Sequence, residues 1–212
     1  KKLHYAWMIK TKRSKSHVMM MLPAVLIAIH NFPVSAWIQG RLSITVTPVA
    51  LLIFLIECLS IAFFEEIIFR GILLGLCIEL FKHLKHGVWM SIVLSSIIFG
   101  AFHLINLFSG VSTFDVMLQA FYTFLIGMVW AIIYMKSKNL AYIVVLHTLF
   151  NFFGLLAIEF GNAHQRYDLF TLISTSLIMI GSALFYFNVY KKITPQEMLL
   201  WTKNEVTTRR SP

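Results

Sequence analysis

Charge is scarce in this chain. Only 13% of its 212 residues are Asp, Glu, Lys or Arg, against 58% hydrophobic, and the mean hydropathy is +0.79. That composition excludes an ordinary water-soluble domain and marks an integral membrane protein. Alternating ten-residue strands separated by turn clusters are missing, which argues against a transmembrane β-barrel. Cysteine is nearly absent: Cys58 and Cys77 both fall in one long apolar segment, with no CxxC, and are expected as free core thiols. No cleavable signal peptide with a small-residue cleavage site opens the chain, and its first apolar segment is long enough to be an anchor. The chain starts at Lys1 rather than Met, which leaves room for missing N-terminal residues or a further helix. Repeats and long linkers are absent as well, as in one compact helical domain.

What is present is a series of apolar windows, each of about 20 residues and so long enough to cross a bilayer as a helix. Six are expected: Val18–Gln39, Thr47–Phe81, Val88–Ser109, Asp115–Met135, Leu140–Phe160 and Leu169–Tyr190. The basic residues support that count. With a cytoplasmic N-terminus, six crossings leave fifteen of the 18 Lys and Arg on the inner side, in the tail Lys1–His17, the loops Lys82–Gly87 and Lys136–Asn139, and the tail from Lys191. Arg41 and Arg166 remain outside and Arg70 lies within a helix, a strong positive-inside bias. The net charge of +9 therefore reads as topology and contact with anionic headgroups, not nucleic-acid binding. The expected fold is all-α: a polytopic membrane bundle of about six helices with both termini cytoplasmic. The second window is overlong, about 50 Å as a helix against a core of about 30 Å, so its hairpin projects or the helix bends after Gly71 or Gly75.

Into these apolar windows the sequence sets a few polar groups. Glu65-Glu66-Ile67-Ile68-Phe69-Arg70 interrupts the second, Phe99-Gly100-Ala101-Phe102-His103 the third, and His147-Thr148-Leu149-Phe150-Asn151 the fifth. A charged side chain at mid-bilayer costs roughly 2.5–3.5 kcal/mol on insertion scales, so such groups need partners or a purpose. At about 100° per residue Glu66 and Arg70 share a helix face and can pair, while Glu65 points elsewhere as the carboxylate left over. A carboxylate so placed suits general acid or base chemistry. His147 and Asn151 also share a face and offer two groups able to donate to a developing oxyanion. His103 has Phe99 on its own face.

EExxxR, FxxxH and HxxxN, in that order on successive membrane helices, resemble the three signature motifs of the CAAX-protease and bacteriocin-processing family, also called Abi, which includes the eukaryotic CAAX prenyl endopeptidase. The resemblance runs from Glu65 to Asn151 with every motif position filled. It implies a glutamate-dependent intramembrane endopeptidase without a cofactor. Glu65 and His103 would activate water, His147 and Asn151 would form the oxyanion hole, and Glu66 with Arg70 would order the site. It also implies membrane-associated or leader-type peptide substrates, in peptide maturation or bacteriocin self-immunity. A bacterial plasma membrane is the expected location, from the breadth of the family and the Lys-, Ile- and Phe-rich composition. On this reading residues 1–17 form a basic cytoplasmic tail, 18–190 the transmembrane protease domain with its motif core at 57–160, and 191–212 a cytoplasmic tail.

Each group has a plainer reading. Glu66 with Arg70 could be a structural ion pair, and a single membrane histidine commonly links helices. Zinc held by Glu65, His103 and His147 is the chemical rival, although HExxH is absent. The GxGD and GxSx patterns of other intramembrane proteases are missing too. Two non-protease readings stand beside these: a non-catalytic bacteriocin-immunity or membrane interaction protein, and a proton-coupled transporter using the same Glu and His residues. Glu57, eight residues before Glu65, is a candidate for extending the cavity. His30 and Asn31 near Pro33 are expected at a kink or the outer interface, and Glu159 and His164 on the outer surface.

Overall fold

The computed structural model describes residues 15–162 and 169–193. The basic N-terminal tail up to residue 14, the rest of the loop containing His164 and Arg166, and the tail from Thr194 lie outside the described residues. Helices account for nearly all of the described chain: α1 (Lys15–His30), α2 (Val34–Ile38), α3 (Pro48–Glu66), a π-helical segment (Ile67–Leu73), α4 (Leu74–Phe81), α5 (Gly87–Phe102), a 3-10 segment (His103–Ser109), α6 (Thr113–Ser137), α7 (Leu140–Glu159) and α8 (Leu169–Lys191). Among the described residues β-structure is confined to one bridge, Ile44 to Gly161.

Local chemistry sets several of the boundaries. Thr47 caps α3, its hydroxyl accepting from the Ala50 amide at 3.3 Å, and Pro48 follows where a missing N–H costs nothing. Ser112 caps α6 by accepting from the Asp115 amide, with the Asp115 carboxylate in the positive first turn. Lys138 ends α6 in the left-handed region at φ 53°, and the Asn139 side chain then caps α7 through the Ala141 amide. The first apolar window, expected as one helix over Val18–Gln39, breaks instead at Asn31–Pro33 into α1 and the short α2. Pro33 disfavours helical backbone at Phe32, and that is where α1 cannot continue.

Among the described residues four helices are long and apolar enough to cross a membrane: Gly87–Ser109, Thr113–Ser137, Leu140–Glu159 and Ile173–Lys191, with His17–His30 a shorter apolar helix. The overlong second window departs from α geometry neither at Gly71 nor at Gly75 alone. Its π segment begins at Ile67, directly after the paired glutamates, and contains Arg70. Wide turns of this kind occur mostly as short insertions and are frequent at functional sites.

The most extensive contact between helices is that of α5 with α6. A Cβ on Gly100 would lie 2.6 Å from the Ala120 carbonyl oxygen, so only glycine permits this approach of the two backbones. Ser91, Ser95 and Ser96 continue the buried small-residue face of α5, and Trp130, Ile133 and Tyr134 fill the core from α6. The outer helices are tied on by side-chain hydrogen bonds. Tyr186 of α8 donates to the Met20 carbonyl at 2.8 Å, His30 of α1 meets Ser174 of α8 at 2.9 Å, and Asn31 donates to the Phe150 carbonyl of α7 at 2.9 Å. His30 and Asn31 thus work at a helix break, as expected. Cys58 and Cys77 are buried free thiols. Large apolar side chains such as Leu52, Ile53 and Ile56 on α3 and Ile173, Leu177 and Ile180 on α8 stand exposed, the pattern of surfaces that meet lipid.

Candidate functional site

Helix α3 ends on two carboxylates that meet different surroundings. Glu66 is 0% exposed, and its Oε1 takes two hydrogen bonds, from Arg70 Nη1 at 3.0 Å and from His147 Nδ1 at 2.7 Å. Arg70 is 2% and His147 5% exposed, so this triad is stripped of water. Transferring such charges out of water costs several kcal/mol each, and close hydrogen-bonded pairing is what offsets that cost. The guanidinium gains further support from α5: its Cζ lies 4.1 Å from the Phe99 ring centroid, a cation–π contact in a dry setting.

Glu65, one residue earlier, points about a third of a turn away, as its place on the helix requires. It is half-buried, and its Oε2 lies 3.6 Å from His147 Nε2 without a hydrogen-bond partner among the described residues. His147 therefore stands between the two carboxylates, one ring nitrogen toward each. Its Nδ1–H is committed to Glu66, which leaves Nε2 as the nitrogen available to chemistry.

His103 begins the 3-10 segment after α5. Its Nδ1–H donates to the Phe99 carbonyl at 3.0 Å, because a carbonyl can only accept. Nε2 is then the basic nitrogen of the neutral ring. Glu65, His147 and Arg70 all lie within electrostatic reach of this imidazole, and the Phe99 ring touches both histidines edge-on, at 5.1 Å from His103 and 6.0 Å from His147. Asn151 sits one turn beyond His147 on α7, half-buried.

The structure therefore brings Glu65, Glu66, Arg70, His103 and His147 into one cluster, with Asn151 on the adjoining turn. Glu57 is not part of it: eight residues before Glu65, it is exposed on α3, because the core-facing stripe there runs through Phe54, Cys58 and Ala62. Three contributions escaped sequence reasoning. Glu66 was expected to pair with Arg70 alone, and its bond to His147, 81 residues on, has no local signal. Phe99 serves Arg70 as well as His103. Helix α6 carries no motif, yet Gly127 lies against Arg70 and the buried Tyr134 is within electrostatic reach of Glu66. Among the described residues no group of three or more His, Cys, Asp or Glu side chains is arranged so that it could hold a metal ion.

The family model for type II CAAX prenyl endopeptidase, Rce1-like, matches residues 47–153, just over half of the chain. The chain belongs to the Rce1-like family. The match begins at the cap of α3, ends within α7, and contains all seven motif residues. It assigns the chain to a family of membrane proteases, in keeping with its several long apolar helices, and makes it a multi-pass membrane protein. Helices α1 and α8 fall outside the matched span. No curated protein and no solved structure matches the chain.

Proposed function

We propose that the chain is an intramembrane glutamate-type endopeptidase that hydrolyses peptide bonds in membrane-associated or leader-type peptides. Water held between Glu65 and the free Nε2 of His103 loses a proton to this pair and attacks the scissile carbonyl, and the pair returns that proton to the leaving amine as the C–N bond breaks. The oxyanion that forms is met by the Asn151 carboxamide and by His147, the second of which donates only with a proton on Nε2, since Nδ1–H is spent on Glu66. Glu66 and Arg70 hold His147 in place and touch no substrate. The observation that carries this reading is the convergence on His147, where Glu66 Oε1 at 2.7 Å and Glu65 Oε2 at 3.6 Å join the first motif to the third.

The topology that accompanies it has six crossings and cytoplasmic termini, supported by the distribution of Lys and Arg, in a bacterial plasma membrane. Peptide maturation or bacteriocin self-immunity is the physiological setting that fits such substrates. The test is cleavage of membrane-anchored and leader-type peptides by the detergent-purified protein, comparing wild type, Glu65→Gln and His103→Ala with and without a zinc chelator. The expected result is a loss of roughly 10²–10⁴-fold in each variant and indifference to chelation. Loss on chelation would instead make the enzyme zinc-dependent through Glu65, His103 and His147. A wild type that cleaves nothing, with Glu65→Gln still protecting cells from a bacteriocin, would favour the non-catalytic immunity reading.

A further inference from the structure

Arg70 is held on three sides by different elements. Glu66 takes its Nη1, Phe99 lies beneath its guanidinium, and α6 closes the third side at Gly127. A Cβ built on Gly127 would stand 3.2 Å from Arg70 Nη2, 3.2 Å from Phe99 Cδ1 and 3.2 Å from Ser96 Cβ. Each distance is shorter than an ordinary carbon contact, so an added methyl obliges a neighbour to move. Ser96 and Phe99 sit on α5 and are each 1% exposed, so packed neighbours behind them leave little room to retreat. The guanidinium is the neighbour able to shift, because Nη2 has no hydrogen-bond partner among the described residues. Moving it draws on Glu66, whose Oε1 is shared between Arg70 and His147.

We propose that Gly127, on the helix that supplies no motif, is a positioning residue for the reaction, its missing side chain forming the slot that seats Arg70 and, through Glu66, sets the ring of His147. This rests on the protease reading for its effect on turnover, but not for its effect on geometry. Two glycines serve as controls, because a Cβ at Gly75 or Gly181 would meet nothing within 4 Å.

The geometric half is tested without turnover, by side-chain 15N NMR of histidine-labelled protein, with the His147 signals assigned by their loss in His147→Gln. Gly127→Ala is expected to move the His147 signals while Gly75→Ala leaves them in place. Unchanged His147 signals in Gly127→Ala would overturn the proposal, whether or not the protein is a protease. In turnover, Gly127→Ala is expected to lower kcat by about ten-fold with KM within about two-fold, as for a displacement of a few tenths of an ångström at the chemistry. Added to Arg70→Lys, which withdraws Nη2 from the slot, the same change is expected to cost little more. Full additivity in that double variant, or the same kcat loss in Gly75→Ala, would also overturn it.

Discussion

Glu65 and Glu66 are chemically identical neighbours, and the fold gives them opposite circumstances. Glu66 is 0% exposed, shares one oxygen with Arg70 and His147, and has no exposure through which a substrate could reach it. Glu65 keeps 18% of its side chain exposed, faces the free nitrogen of His147 at 3.6 Å and leaves Oε2 unpartnered among the described residues. The inner half of the site, Glu66 with Arg70 and His147, is a buried framework of paired groups, in which Glu66 Oε2 and Arg70 Nη2 have no partner among the described residues. The outer half, Glu65 with His103 and Asn151, is half-buried and keeps partial exposure. One residue of helical offset divides the two.

The largest expected effect opposes the two glutamates directly. Glu66→Ala leaves Arg70 buried without its anion and should destabilise the protein by about 3–5 kcal/mol in chemical unfolding, abolishing activity along with the fold. Glu65→Gln should remain within about 0.5 kcal/mol of wild type in the same measurement, since it empties no buried pair, while losing turnover. Equal destabilisation by both would break the division into inner and outer halves. Next comes Asn151→Ala, expected to lower kcat by roughly 10²-fold with stability unchanged, the scale of losing one oxyanion donor. A change in KM alone would move Asn151 from the oxyanion to substrate binding. The smallest effect is expected at Glu57→Gln: an exposed carboxylate outside the cluster should alter stability by no more than about 0.5 kcal/mol and leave kcat as it was.

Much of the site was legible because intramembrane polar residues are expensive and therefore few. The pairing of Glu66 with Arg70 and the divergence of Glu65 follow from helical angles alone, and both hold even though the backbone turns π-helical at Ile67. The π segment itself was not legible, because Ile67 to Leu73 carry no proline, glycine pair or capping signal at its start. The break of the first apolar window was legible only as a kink near Pro33, because apolarity continues past Pro33 and conceals that α1 ends there and a separate α2 begins. The place of α6 in the site could not be read either: a glycine in a membrane helix announces close packing but not against what.

From the sequence alone followed what depends on composition and on short-range geometry. The chain is helical and membrane-borne because its long runs of apolar residues can satisfy backbone hydrogen bonds in lipid only as helices. Its family follows from three motifs whose members lie within one or two turns of each other. Only the tertiary structure decided which carboxylate is buried, that His147 lies between both, and that Gly127 and Phe99 seat Arg70. Those contacts join residues tens of positions apart. They are set by which helix faces meet and how closely, a property of the packed bundle that no single segment carries.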